Sequence, residues 1–527
     1  MISGYTQKLA NPIIDAGYAK YLGNRTFPNT VAYLGIPYAE PPLGERRFRA
    51  PLPLNTARIS RPKEQTGVSL SVTVAGDAGG AGSEDCLKVN IYTPASAKEG
   101  SNLPVLVYIH GGGYIFGNPA NWPFDHWVHQ SPNVVIVSVY YRLSSFGFLA
   151  TPEFSDPRVG DFNAGFQDQI EALKWVKSHI SKFGGNPKKV TINGESAGGS
   201  SVELHLVAKK SEKLFSGAIA QSVYRSPLPT PEQQMPLFQF YSERAGCGSG
   251  PTSAQLVCLR SASVSALARA QDAGSSSAFT GSLYKTFRPV VDGKLLTEYP
   301  TQSVTSGNFA SVPLIVGATT NETLSGGSDL AAALTRFCPS LTAADINEIS
   351  EAYPPKEFSS DALRMQTTTG DVTVRCAIPF HFVQRTIMGS AFSKRVPAWT
   401  YRYNQRNPTS AGSAVGHAAE NWMMFLGTNT GLNGSTTFTP LSPVETSFAE
   451  ELIAYWLSFV RAGNPNTHRL ARSPVWPSYN EKHRSRIVLQ QASANSITTS
   501  GSFVEEEVDP ETRRCNVIAN QVAHQQN

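Results

Sequence analysis

The chain has 527 residues, 40% hydrophobic and 16% charged. That balance suits a large core with a modestly charged surface and excludes a disordered chain. The net charge of +5 is spread without a basic run or aromatic-basic interleaving, which speaks against a nucleic-acid partner. The longest apolar runs, such as Val134 to Val137 continuing to Tyr141, are too short to span a bilayer.

The start, Met1 to Lys8, has no apolar signal-peptide core. It reads either as an intracellular protein or as a mature form with an added Met. Pro104 to His110 reads as a buried strand that runs into Gly111, Gly112, Gly113 and Tyr114. This H-G-G-G-Y run has the form of an oxyanion loop. Val134 to Tyr140 reads as a second buried strand. Phe166, Ile170, Leu173, Val176 and Ile180 recur at helical spacing, with Asp161 as the expected cap and Gly184 to Pro187 as the stop. That stripe reads as core packing.

Val190 to Ile192 then leads into Gly194-Glu195-Ser196-Ala197-Gly198. In a G-x-S-x-G elbow a strand turns sharply into a helix, and the serine Oγ projects from the turn. The flanking glycines leave room for strand and helix to meet. Chance can produce five such residues in a chain this rich in Gly and Ser. The loop upstream, in the right order, is what gives the pattern weight. Pro313 to Gly317 and Ala398 to Arg402 read as further strands. The β-α-β order implies a mostly parallel sheet covered on both faces. Residues 224–310 and 325–395 carry helical patterns and read as insertions over one end of the sheet. Residues 62–83, rich in Ser, Gly, Val and Ala, read as a short surface loop.

A serine nucleophile needs a base, and the base needs an orienting acid, in the chain order Ser, Asp/Glu, His. His205, His381, His417, His468, His483 and His524 follow Ser196. His205 falls on the elbow helix and points away. His417 is favoured over the rest because it follows a Gly and precedes an aromatic-rich segment.

The chain resembles the type-B carboxylesterase/lipase family, which includes cholinesterases and fungal lipases. The resemblance runs through Tyr33 to Pro42, Glu84 to Tyr92, His110 to Tyr114, Tyr141-Arg142 with Phe146 to Leu149, and the elbow. It continues through Pro289 to Gly293, Gly416 to Glu420, Trp456 to Pro465 and Trp476-Pro477. It implies an α/β-hydrolase fold in one domain over 1–527, with a large mostly parallel sheet flanked by helices. It implies a serine carboxylic-ester hydrolase with a Ser196, Glu322 and His417 triad and an oxyanion hole from the N–H groups of Gly112, Gly113 and Ala197. No metal or cofactor is expected. Arg47 with Glu84, and Arg142 with Asp168, resemble the family's internal ion pairs, and Glu195 is expected to tune the site's field.

The same resemblance pairs Cys247 with Cys258 and Cys376 with Cys515, which favours an oxidising compartment and hence secretion, with a cytoplasmic location as the alternative. Cys86 departs from the family pattern, because no cysteine precedes it and the loop before it lacks a Trp. That moves the expectation away from a disulfide-closed lid and from choline esters. Cys86 and Cys338 are left as free thiols or as partners of each other. Sequons stand at Asn24 and Asn433, and a third at Asn321 is expected to stay unused beside Glu322. Tyr114, Trp122, Phe124, Trp127, Trp422 and Phe425 are candidate pocket aromatics. The substrate expected is a small to medium carboxylic ester. A lipase or a feruloyl-type esterase is the alternative within enzymes. A catalytically dead adhesion or binding protein on this fold is the alternative outside them, disfavoured by the complete residue set.

Overall fold

In a computed structural model, the described residues are 11–56, 64–66, 82–322, 327, 329–377, 396–410, 412, 414–430, 436–480, 483–493 and 496–527. Most of the expected loop 62–83, the Asn433 sequon, His381 and the 378–395 part of the second helical span lie outside them.

Among the described residues eleven strands form one sheet. They are β1 (Asn24–Phe27), β2 (Thr30–Pro37), β3 (Lys88–Pro94), β4 (Leu103–Ile109), β5 (Val135–Val139), β6 (Gly185–Glu195), β7 (Gly217–Gln221), β8 (Leu314–Thr319), β9 (Ala398–Tyr403), β10 (Ser485–Leu489) and β11 (Phe503–Glu506). Their order is β11-β10-β9-β8-β7-β6-β4-β5-β3-β2-β1. From β5 across to β10 every neighbouring pair is parallel. The strands at both edges are antiparallel.

Alternate side chains of a strand point to opposite faces. Val105, Val107 and Ile109 of β4 join one core cluster, whereas Leu106 and Tyr108 join another. The helix Ala164–His179 lays Phe166, Ile170, Leu173 and Val176 against the first face. The helix Pro443–Ala462 lays Leu452, Trp456 and Phe459 against the second. Both faces are dry, which is why these strands read as unbroken apolar runs. Each buried large aliphatic or Phe side chain contributes roughly 1.5–3 kcal/mol.

The helix Ala164–His179 does not take its expected cap. Asn163 stands at its start with φ +55° and no side-chain cap bond. Asp161 instead accepts from Arg49 Nε at 2.8 Å and Ala50 N at 3.0 Å. Asn163 is held from outside the helix, since its amide bonds both backbone groups of Val290. A tertiary partner outcompetes the local cap. The stop behaves as read, with Gly184 left-handed at φ +86° after a short 3-10 turn.

Helices Pro231–Arg244, Thr252–Ser261, Val264–Ser275 and Pro300–Thr305 fall in the first helical span. Leu330–Phe337, Ala343–Ala352 and Asp361–Thr373 fall in the second. Disulfides join Cys247 to Cys258 and Cys376 to Cys515. Cys86 and Cys338 are buried free thiols, not partners. Burial pushes the Cys338 thiol up to about 12, which keeps it protonated and inert. Arg47 grips Glu84 with two bonds of 2.6 Å, and Arg142 grips Asp168 at 2.8 and 2.6 Å. Among the described residues no helix is long and apolar enough to cross a membrane.

Candidate active site

Ser196 follows β6 and precedes the helix Ala197–Val207. Its backbone sits at φ 60°, ψ −123°, a region that costs on the order of 1–3 kcal/mol for a residue with a Cβ. The sheet holds it there, because Ser196 N donates to Gln221 O at 3.0 Å at the end of β7. The two flanking glycines are steric necessities. A Cβ on Gly194 would lie 2.4 Å from the Gly198 backbone, and one on Gly198 would lie 2.0 Å from Ile109 O.

The carboxyl ends of β8 and β9 bring up the other groups. Ser196 Oγ donates to His417 Nε2 at 2.7 Å, and His417 Nδ1–H donates to Glu322 Oε2 at 2.5 Å. Glu322 is fully buried, and its other oxygen accepts from Ser222 Oγ at 2.6 Å and Thr319 N at 2.7 Å. Burial alone would raise the Glu322 pKa. The charge of His417 and the bonds from His417, Ser222 and Thr319 overcome that and hold the carboxyl below its usual range. Burial likewise disfavours the His417 imidazolium, but Glu322, then Glu195 and Glu420, raise its pKa above the ordinary value. The arrangement can draw a proton from the serine and stabilise the cation that results.

Two more carboxyls belong to this cluster. Glu195 Oε1 lies 3.6 Å from His417 Nε2, and its Oε2 accepts from Asn421 Nδ2 at 3.0 Å. Burial, opposed by His417 and reinforced by Glu322, pushes Glu195 up to about 7. Burial together with Glu195 and Glu322 pushes Glu420 up to about 8. Three carboxylates around one imidazole repel one another, and the upward shift falls on Glu195 and Glu420. Neither Ser222 nor Glu420 was assigned a role from the sequence. Glu420 stands in the first turn of the helix Ala419–Met424, just after His417. Ser222 has no local signal.

The loop Gly111 to Gly113 faces the elbow. Gly112 and Gly113 are left-handed, at φ +105° and +63°. Their N–H groups and that of Ala197 meet no acceptor among the described residues. His110 braces the loop. Burial drives its pKa down to about 4. The neutral ring donates Nδ1–H to Gly111 O at 2.8 Å and stacks on Tyr141 at 4.6 Å.

A cavity of about 550 Å³ opens onto Ser196 and His417. Trp122 and Trp422 line it, with Phe116, Tyr224, Arg288 and Phe337. The expectation of a pocket role for the other four aromatics is corrected. Phe124, Trp127 and Phe425 pack on one another beneath the cavity, with Phe124 and Phe425 centroids 5.2 Å apart and Trp127 Nε1 donating to Met424 O. Tyr114 is buried on the opposite core cluster, edge-on to Phe148. Side-chain direction within a loop depends on tertiary packing, which sequence proximity to the glycines does not reveal.

The carboxylesterase family model matches residues 10–502. The chain belongs to that family, serine hydrolases that act on carboxylic esters. The esterase is 31% identical over 502 residues to "Secreted lipase 4" of Gibberella zeae, covering 89% of this chain and 86% of the relative. It is 30% identical over 501 residues to the para-nitrobenzyl esterase of Bacillus subtilis, covering 91% and 95%. Among solved structures, Aspergillus niger EstA superposes on the esterase with a TM-score of 0.83 at 30% identity, covering 98% of this chain and 99% of the other. Its mostly parallel sheet with helices on both faces is the α/β-hydrolase fold of these neighbours.

Proposed function

We propose that Ser196, His417 and Glu322 are the catalytic triad and that the N–H groups of Gly112, Gly113 and Ala197 form the oxyanion hole. The observation that carries this reading is the unbroken contact from Ser196 Oγ through His417 to Glu322. Ser196 attacks the ester carbonyl while His417 Nε2 takes its proton. Glu322 keeps the imidazole in the Nδ1–H tautomer and balances its charge. The three N–H groups receive the developing oxyanion, each worth about 10²–10³ in rate. His417 returns the proton to the leaving alcohol, then activates water against the acyl-enzyme.

The substrate proposed is a small to medium carboxylic ester, accepted broadly. The cavity volume supports it, since pockets for such ligands run to roughly 300–1,000 Å³. A lipase or feruloyl-type activity is the second reading, favoured by the aromatic wall of Phe116, Trp122, Tyr224, Phe337 and Trp422. The adhesion or binding reading lacks support, because nucleophile, base and acid lie within bonding distance of each other. One domain, with residues 224–310 and 325–395 as helical insertions that lend Tyr224, Arg288 and Phe337 to the wall, is part of the same proposal. So is secretion, supported by two disulfides, with glycosylation at the exposed Asn24. Asn321 is unsuited to a sugar, because its Oδ1 accepts from Val415 N at 2.8 Å.

Hydrolysis of nitrophenyl esters from acetate to palmitate, beside emulsified triglyceride and methyl ferulate, tests the substrate reading. Highest kcat/KM on short soluble acyl chains is expected. Strong activation at an oil interface would favour the lipase.

A further inference from the structure

Several enclosed arginines among the described residues are matched with carboxylates. Arg47 has Glu84, Arg142 has Asp168, Arg225 has Glu203, Arg375 has Asp371 and Glu511, and Arg402 has Glu505. Arg288 differs. It lines the cavity above Ser196 and has no carboxylate partner among the described residues. Its Nη1 donates to neutral oxygens, Ser226 Oγ at 2.9 Å and Tyr224 OH at 3.3 Å. Its Nε is enclosed without an acceptor. Glu203, which like Arg288 acts on Tyr114, is taken by Arg225.

A guanidinium stays charged at any working pH. Placed in a partly dry wall without a counter-ion, it leaves solvation to be recovered by an incoming anion. The position suits a substrate. The Arg288 Cζ sits 5.5 Å from the Tyr224 ring centroid, and that ring lies 6.5 Å from the His417 ring. One aromatic ring thus separates the guanidinium from the imidazole. The other charged groups on the cavity, Glu195 and His417, are tied to Asn421, Glu322 and Ser196.

We propose that Arg288 is a specificity-determining residue that selects esters carrying a second, free carboxylate, held against its guanidinium while Ser196 attacks the ester carbonyl. This rests on Ser196 being the nucleophile. The substrate class is then the half-ester of a dicarboxylic acid, or an ester whose alcohol bears a carboxylate.

The test compares matched esters. Mono-nitrophenyl succinate and glutarate are set against nitrophenyl butanoate and pentanoate for the acyl side. Carboxyphenyl butanoate is set against phenyl butanoate for the alcohol side. Arg288→Met is expected to lower the anionic-to-neutral ratio of kcat/KM about tenfold to a hundredfold in at least one arm, with Arg288→Lys retaining more of it than Arg288→Met. In the wild type that ratio is expected to fall as salt rises. Ratios within about twofold of wild type in folded Arg288→Met overturn the proposal, as does a salt-independent preference of the wild type for neutral esters in both arms. Ser196→Ala separates the two readings. Persistent turnover there defeats the nucleophile assignment, whereas its loss with unchanged ratios in Arg288→Met defeats only the Arg288 proposal.

Discussion

Ser196 and Glu322 stand at the carboxyl ends of β6 and β8, close-set strands of one sheet. The wall that faces them is drawn from segments spread between Gly112 and Asn429. The elbow is fixed by backbone, through a left-handed serine, two glycines without space for a Cβ and a bond to β7. The wall is assembled from side chains of several separate segments, among them Phe116, Trp122, Arg288, Phe337 and Trp422. If Ser196 is the nucleophile, as proposed, its backbone-defined geometry holds whatever fills the pocket, while the wall is free to set which ester is accepted. Changes at the elbow should therefore act on kcat, and changes in the wall on selection between substrates.

The largest expected effect is at the proposed nucleophile and base. Ser196→Ala and His417→Ala should each lower kcat about 10⁵–10⁶-fold, with the double variant little worse than either alone. Steady-state hydrolysis of nitrophenyl acetate measures this, and multiplying losses would break the picture of one cooperating unit. Glu322→Gln should cost about 10⁴-fold, because the amide favours the wrong tautomer of His417. Next comes the proposed oxyanion loop. A Cβ at Gly112 would lie 2.1 Å from Phe116 O, so Gly112→Ala must move the donor, and kcat should fall about 10²–10³-fold. A Gly112→Ala variant changed only in KM would place Gly112 with the wall.

The smallest effect sharpens the electrostatics. The negative charge of Glu195 raises the pKa of His417, so Glu195→Gln should lower it. The base then becomes available at lower pH, and the acid limb of the kcat/KM profile should move down by about one unit or less. A shift to higher pH would contradict the assigned sign.

The legibility of the sequence divides along the same line. Strands β4, β5, β8 and β9 can be read almost residue by residue, because burial on both faces leaves mostly apolar and aromatic runs. The elbow and the oxyanion loop are local patterns, and the family resemblance supplies Glu322 and His417. The failures are tertiary. Asp161 bonds Arg49 instead of capping its helix. Tyr114, Phe124, Trp127 and Phe425 turn into the core while Trp122 and Trp422 reach the cavity. Tyr224, Arg288 and Phe337 meet only once the helical spans are packed, so no spacing announces them.

As the proposed nucleophile, Ser196 should carry the acyl group. Rapid mixing with a nitrophenyl ester, followed by acid quench and peptide mass analysis, tests it most directly. A burst of nitrophenol and a single acyl group on the peptide containing Ser196 are expected, both lost in Ser196→Ala. An acyl group on another residue, or undiminished turnover in folded Ser196→Ala, would contradict it.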